Sequence, residues 1–304
     1  MGSNGRVKTE APAQSALVLG TAQLGPHYGV ANRAGRPADA TVRALLTAAA
    51  DLGVTHLDTA RAYGDSEERI GALVGDLPLR FVTKVAPQGP DATPASVRAS
   101  VTRSLAALRR PGPHTLLLHR AADAAVGWPV LQEYAATRAA DRIGVSVQSP
   151  DELRSALALP DLGYVQLPCN VLDRRWLAPD LAALFAARPD LIVTVRSVYL
   201  QGLLTAGRTV VWPHLRAGAR DALVDTLDRL AVELGRADRA DLCVAYVRSL
   251  PWVTSIVVGA ETEEQLRRNA WLAARPPLTP AEGAAVRATL PDVPAALLDP
   301  AQWP

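Results

Sequence analysis

Cysteine is scarce: Cys169 and Cys243 are the only two in 304 residues, and no Cys/His cluster accompanies either. That argues against a disulfide framework or a zinc site and makes a reducing cytoplasm the expected location. Neither charge sign dominates; a net charge of +2 gives no reason to expect nucleic acid or another polyanion as partner. No apolar run reaches the roughly 18–20 residues that span a bilayer, so no membrane partner is expected. The first 14 residues, Met1 to Gln14, are polar and lack the apolar core of a secretory signal. They read as a flexible arm (residues 1–14) ahead of one folded unit over 15–304. Two glycine signatures of nucleotide folds are absent as well. No Gly-x-Gly-x-x-Gly follows the first strand-like run, and no Gly-x-x-x-x-Gly-Lys-[Ser/Thr] occurs, which argues against a doubly wound dinucleotide fold and a P-loop. A nucleotide, if one binds, is held in another way.

What is present is a regular alternation. Apolar residues make up 49% and charged residues 20%, and 24 prolines and 21 glycines punctuate the chain, as in a folded domain with many short connections. Strand-like runs cover 16–19, 55–58, 81–85, 115–119, 142–146, 164–168, 191–196 and 253–258. Most are continuously apolar, the pattern of parallel strands covered on both faces. Between and after them, helical patterns cover 38–52, 66–75, 94–108, 129–139, 150–157, 179–187, 219–234, 238–250 and 263–274. Ser66, Thr93-Pro94, Ser149-Pro150 and Thr262 stand where helix caps belong. Eight strand-then-helix repeats predict an α/β fold, a single-domain (β/α)8 TIM barrel. The stretch 202–219 is longer than the usual connection, as expected of a lid or clamp on the C-terminal rim.

Such a barrel gathers its strand ends around one cavity. Asp58, Lys84 and His119 each close a strand-like run, and Tyr63 lies in the turn after one. An acid, an amine, an imidazole and a phenol would then meet. A phenol is a poor proton donor at neutral pH unless a cation stabilises its phenolate, which Lys84 can do, oriented by Asp58. His119 can hydrogen-bond a carbonyl oxygen. These groups supply acid–base catalysis but no hydride, so a nicotinamide is the expected partner. Each residue alone has a plainer reading: a packing Tyr, a capping Asp, solvated strand ends. The combination decides. His56 and His114 read as structural residues.

The run Asp58-Thr59-Ala60-Arg61-Ala62-Tyr63-Gly64-Asp65-Ser66-Glu67 with Gly71, and Lys84 and His119 behind it, resembles the aldo-keto reductase family. Further motifs follow in the same order: Leu19-Gly20-Thr21-Ala22-Gln23-Leu24-Gly25, Gly144-Val145-Ser146, Val165-Gln166-Leu167 with Asn170, Gln201-Gly202-Leu203-Leu204-Thr205, Val258-Gly259-Ala260, and Gln265 to Asn269. The resemblance runs from about Leu17 to Trp271. It implies an NAD(P)H-dependent reductase of aldehydes or ketones, with Tyr63 as proton donor, Lys84 and Asp58 tuning it and His119 orienting the carbonyl. It places the cofactor along Gly20, Thr21, Ser146, Gln166, Arg196, Ser197, Leu200, Gly202, Gly259, Ala260, Glu261, Thr262, Gln265 and Asn269. The role of Asn170, just beyond the carboxamide site, stays open.

Three positions depart from the family pattern. Val147 stands where Asn commonly follows the carboxamide-binding Ser. Arg196 stands where many members stack an aromatic on the nicotinamide; it can stack as well, disfavouring the cationic oxidised ring, or hold an anionic substrate group or the cofactor phosphates. At the adenosine end, Glu261, Glu263 and Glu264 replace the cations that pair with a 2′-phosphate, although the start of the helix after Thr262 offers backbone N–H groups. Arg208, Arg267 and Arg268 are the compensating cations. Family habit puts NADP(H) slightly ahead, and local charge keeps NAD(H) open. His27, Tyr28, Trp128 and Tyr199, with Trp176 and Trp212, are candidate substrate walls. The motifs at 23–29 and 195–204 resemble a bacterial subgroup often linked to sugar metabolism, which implies a sugar-derived or otherwise polar carbonyl substrate. Two other functions remain open: a cofactor-binding regulatory barrel with little turnover, and a lyase or aldolase using Lys84 as a Schiff-base amine.

Overall fold

The computed structural model describes residues 14–25, 28–30, 32 and 35–303. Eight parallel strands close in chain order into a barrel: β1 (Leu17–Gly20), β2 (His56–Asp58), β3 (Arg80–Val85), β4 (Thr115–Leu118), β5 (Arg142–Ser146), β6 (Tyr164–Pro168), β7 (Ile192–Arg196) and β8 (Ser255–Gly259), with β8 paired back onto β1. Around it pack α1 (Asp39–Asp51), α2 (Ser66–Leu73), α3 (Pro94–Leu108), α4 (Ala124–Ala136), α5 (Pro150–Leu157), α6 (Pro179–Ala186), the single turn α7 (Leu203–Ala206), α8 (Ala217–Glu233), α9 (Arg239–Arg248), α10 (Glu263–Ala274) and α11 (Pro280–Thr289). This is a single-domain (β/α)8 TIM barrel. Among the described residues, no helix is long and apolar enough to cross a membrane.

The period of two along a strand explains where the site lies. Residues of one parity face the helices and form the large outer core; those of the other parity face the lumen. Val82, Leu117 and Tyr164, with Ile192 against them, form a separate apolar layer inside the barrel. The Thr194 hydroxyl donates to the Tyr164 hydroxyl at 2.7 Å, and the Gln14 amide donates to Thr194 Oγ1 at 2.9 Å. Two residues further along β3, β4 and β6 come Lys84, His119 and Gln166, and two beyond Thr194 on β7 comes Arg196. The next lumen layer is therefore polar, and it opens at the C-terminal rim. Of the expected arm, residues 1–13 lie outside the described residues, and Gln14 is tied into the barrel floor.

Several local expectations need correction. Pro129 sits inside α4 rather than at its start; a turn at Ala121–Asp123 leads into the helix, which forgoes one N–H bond to the Ala125 carbonyl. Ser66 does not cap α2. Its hydroxyl donates to the Thr21 carbonyl at 2.9 Å, joining the β1 loop to the β2 loop. Thr93, Ser149 and Thr262 do cap their helices. The helix α11 was missed although Thr279, Pro280 and Glu282 form a capping box with Pro in the first turn; the eight-fold repeat is already complete before it.

Candidate active site

At the end of β2, the Thr21 backbone N–H and hydroxyl both donate to the Asp58 carbonyl, at 3.0 and 2.9 Å. The Asp58 carboxylate is held from two sides: Lys84 Nζ donates to Oδ1 and Gln166 Nε2 to Oδ2, each at 2.7 Å. Lys84 also donates to the Thr59 carbonyl at 3.0 Å and is only 1% exposed. Burial acts to lower its pKa, but the charge of Asp58 and then Tyr63 outweigh burial and hold it above the ordinary lysine value. Lys84 is therefore an ammonium, and its Nζ lies 5.1 Å from the Tyr63 ring centroid.

The turn carrying Tyr63 is stitched to β3 by Thr59 N–H to Val82 O (2.9 Å) and Arg61 N–H to Lys84 O (3.1 Å). Gly64 takes φ +60°, a conformation that favours glycine. From the other side Gly25 presses on the same turn: a Cβ there would fall 2.0 Å from the Tyr63 carbonyl oxygen. The Tyr63 and His119 rings meet edge to face at 5.9 Å and 87°. Burial, then the charges of Lys84, Arg196 and Arg120, push the His119 pKa down to about 3. Its imidazole is neutral at physiological pH, and among the described residues its buried Nδ1 has no hydrogen-bond partner. Underneath, buried Glu67 accepts from the Thr83 hydroxyl and pairs with Arg61 at 2.9 Å; burial raises its pKa above the usual carboxylate value. Its place inside the family motif was legible, its supporting position was not.

These groups stand at one end of a cavity of about 510 Å³. Asp58, Tyr63, Gln166 and Arg196 line that end; Gly20, Thr21, Ser197, Tyr199 and Gly202 line its flank; Gly259, Glu261, Gln265 and Asn269 line the far end. Lys84 and His119 flank the ring of Tyr63, which lines the cavity. Ser146 is buried beside Gln166 on the neighbouring strand. Leu200 and Ala260, expected to contact the cofactor, are buried at 0% and 1% and do not line the cavity. Thr262 spends its hydroxyl on the Gln265 N–H, while Gln265 Oε1 accepts from the N–H groups of Glu261 and Thr262. The capping box thus occupies donors that had been expected to hold a phosphate. On the flank, Ser197, Leu200 and Gln201 take φ values of 62°, 48° and 52°, followed by Gly202 at 91°. Non-glycine residues in that region store strain, which concentrates at ligand-binding loops.

Of the expected substrate walls, Tyr28 and Tyr199 line the cavity and His27 lies outside the described residues. Tyr28 is 39% exposed as a residue; burial of its phenol and then the charge of Tyr63 push its pKa up to about 12. Trp128 is a correction. It sits in α4, 3% exposed, with its indole N–H donated to the Pro160 carbonyl at 3.0 Å. Trp176 and Trp212 likewise donate into the fold, to Asp173 and to the Gly207 carbonyl, and neither lines the cavity. Large indoles find core space more readily than a polar rim.

The sequence reading missed Gln148, Asp238 and Gln23. Gln148 follows Ser146 by two residues, and the period of two could have found it: its Oε1 accepts from Arg196 Nη2 at 2.6 Å. Val147 between them points into the core at 0% exposure. Asp238 caps α9 and also pairs with Arg268 on the cavity wall, a link no local pattern reveals.

The comparisons with known proteins bear on this arrangement. A model of the aldo/keto reductase family matches residues 16–290. The chain belongs to the aldo/keto reductase family. Membership makes it an NAD(P)-dependent oxidoreductase acting on carbonyl compounds. No curated protein matches the sequence significantly. Among solved structures, the chain is similar to the aldo-keto reductase AKR11C1 from Bacillus halodurans in its holo form, with TM-score 0.75 and 19% identity over 93% of this chain and 95% of that one. It is also similar to the glycerol dehydrogenase AKR11B4 from Gluconobacter oxydans, with TM-score 0.72 and 22% identity over 93% of this chain and 94% of that one. At these identities the likeness concerns the fold.

Proposed function

We propose that this reductase protonates its carbonyl substrate from Tyr63, with Lys84, Asp58 and His119 setting up the transfer. The observation that carries this reading is the meeting of Tyr63, Lys84 and His119, from three separate segments, beside one cavity. A reduced nicotinamide, when bound, supplies the hydride. Gln166 Oε1 is buried and has no partner among the described residues, so it fits an amide N–H of the carboxamide, with Ser146 beside it. Tyr63 gives its proton to the carbonyl oxygen, and the ammonium of Lys84 stabilises the phenolate that remains. A neutral His119 donates an N–H to the same oxygen without adding charge. Asp58, fixed between Lys84 and Gln166, couples the proton donor to the carboxamide site.

Lys84 as a charged, buried ammonium is not the free amine that a Schiff-base lyase requires, and a regulatory barrel without turnover has no need of all four groups. The test is Tyr63→Phe on a panel of carbonyl compounds. Activity on the best substrate should fall by about 10²–10⁴-fold while nucleotide binding, followed by NAD(P)H fluorescence, persists. Full activity in Tyr63→Phe would remove the proton-donor assignment.

Between the two nucleotides, family habit favours NADP(H), and the charges at the far end of the cavity favour NAD(H). Arg208 pairs with Asp225, Arg267 with Glu263 and Arg268 with Asp238, while Glu261 and Asp238 both line the wall. A 2′-phosphate would have to displace Asp238 from Arg268; a free ribose hydroxyl would find acceptors. We therefore put NAD(H) first. A lower dissociation constant for NADPH than for NADH would reverse the order. For the substrate we favour a small polar, sugar-derived aldehyde or ketone. Tyr28 and Gln23 give the cavity mouth polar walls.

A further inference from the structure

We propose that Arg196 is an anion-recognition residue and that the carbonyl substrate carries a carboxylate or another anionic group; this rests on the reductase reading above. Arg196 ends β7 and lines the cavity near Gln166: it pairs in register with Pro168, two residues beyond Gln166 on β6. Arg196 and the proton donor Tyr63 line the same cavity, so one small ligand can touch both.

The charge of Arg196 is not cancelled where it stands. Among the described residues it has no carboxylate partner within ion-pair distance, and its hydrogen bond goes to the neutral amide oxygen of Gln148 at 2.6 Å. That amide is fixed in turn. Gln148 Nε2 donates to Asp299 Oδ1 at 3.1 Å and its backbone N–H to Glu152 at 2.6 Å, so its oxygen is presented to Arg196. Guanidinium carries five N–H donors in a planar fork. One is anchored here, which sets the plane and leaves the others for a ligand.

The other charges at this end cancel. Lys84 and Asp58 form a buried pair at 2.7 Å, and His119 is neutral. Among the residues that line this end, Arg196 is thus the surplus charge; Arg120, which also acts on His119, is exposed and does not line the cavity. Elsewhere on the wall, by contrast, Arg268 is matched by Asp238. A partly buried guanidinium on a neutral anchor favours an incoming anion, and carboxylate matches its fork in two parallel bonds.

The experiment uses an isosteric pair, 4-formylbenzoate and 4-formylbenzamide, with wild type, Arg196→Gln and Arg196→Lys. The unreactive pair 4-methylbenzoate and 4-methylbenzamide is titrated calorimetrically into the enzyme saturated with reduced cofactor. Wild type should prefer the carboxylate by about tenfold or more in kcat/KM and in affinity; Arg196→Gln should erase that preference, and Arg196→Lys should keep part of it. Equal use of both aldehydes by wild type overturns the proposal, as does an unchanged preference in Arg196→Gln. So does a variant that loses NAD(P)H binding while its charge preference stays intact, because Arg196 would then serve the cofactor. Turnover of neither aldehyde, together with Arg196-dependent binding of 4-methylbenzoate, would leave the anion site standing and sink the reductase reading instead.

Discussion

The two ends of the cavity are built on different principles. At the carbonyl end, the side chains come from strand ends or from a turn stitched to β3, and the Asp58–Lys84–Gln166 contacts are buried at 2.7 Å. At the other end, where the proposed reading puts the adenosine, the wall is made of loop and helix-start residues, and its charges sit in half-exposed pairs such as Arg268–Asp238, at 48% and 44% exposure. Burial makes the first network stiff and costly to disturb. Exposure makes the second soft: its ion pairs are screened by solvent and can exchange partners. Chemistry requires fixed distances, and nucleotide selection requires only a balance of charges.

The sharpest way to break this contrast is Lys84→Met. It leaves the Asp58 carboxylate buried beside Gln166 without its cation, a loss of about 3–5 kcal/mol, read as a lower urea midpoint; Asp58→Leu in the same chain should recover part of it. An unchanged midpoint in Lys84→Met would mean that the carbonyl end is not held by its buried pair. Gly25→Ala is a milder test. The added Cβ must push the Tyr63 carbonyl, so kcat should fall by about 10–100-fold with nucleotide affinity nearly unchanged. If kcat is insensitive, the turn is less tightly positioned than its contacts indicate.

At the other end, Asp238→Asn frees Arg268 from its carboxylate. The ratio of NADPH to NADH affinity should rise about tenfold, with Tm hardly altered because the pair is half exposed. A ratio that does not move would separate Arg268 from nucleotide choice.

A further effect concerns pH. His119 falls from 6.5 to about 3, and His56, dominated by burial, falls from 6.5 to about 4. Above pH 6.5 these imidazoles are neutral in both folded and unfolded chains, and neither contributes a slope. As pH drops below 6.5, the unfolded chain takes up protons that the folded one refuses, so stability declines until the folded values are reached. Thermal midpoints measured from pH 7 to 4 should therefore fall less steeply in His119→Gln than in wild type. The same shift removes any acid limb near pH 6.5 from kcat/KM that would be due to His119; a limb there that disappears in His119→Gln would contradict the neutral imidazole.

Much of the carbonyl end was legible in the sequence. Asp58, Tyr63, Lys84 and His119 are short-range facts, each fixed by its place at or just after an apolar run. The strand period that builds the barrel also turns Lys84, His119 and Gln166 inward. Arg196 stood out because it occupies the place where the family resemblance puts an aromatic. The tryptophans were misjudged for the converse reason. Trp128 has no positional rule beyond being large and apolar, and packing sent it to the outer core with its N–H on Pro160. Asp238 and Gln148 escaped because what matters in them is a partner 30 or 48 residues away.

The sequence by itself determined the barrel, the order of its elements and the identity of the groups at the strand ends, because a two-residue alternation and local turn chemistry are written in consecutive residues. Only the tertiary structure decided which charges cancel. It set Gln166 against the Asp58 carboxylate beside the expected Lys84 contact, paired Arg268 with Asp238, and left Arg196 on a neutral amide. Coulomb energy depends on distance and burial, and neither is a property of neighbours in the chain.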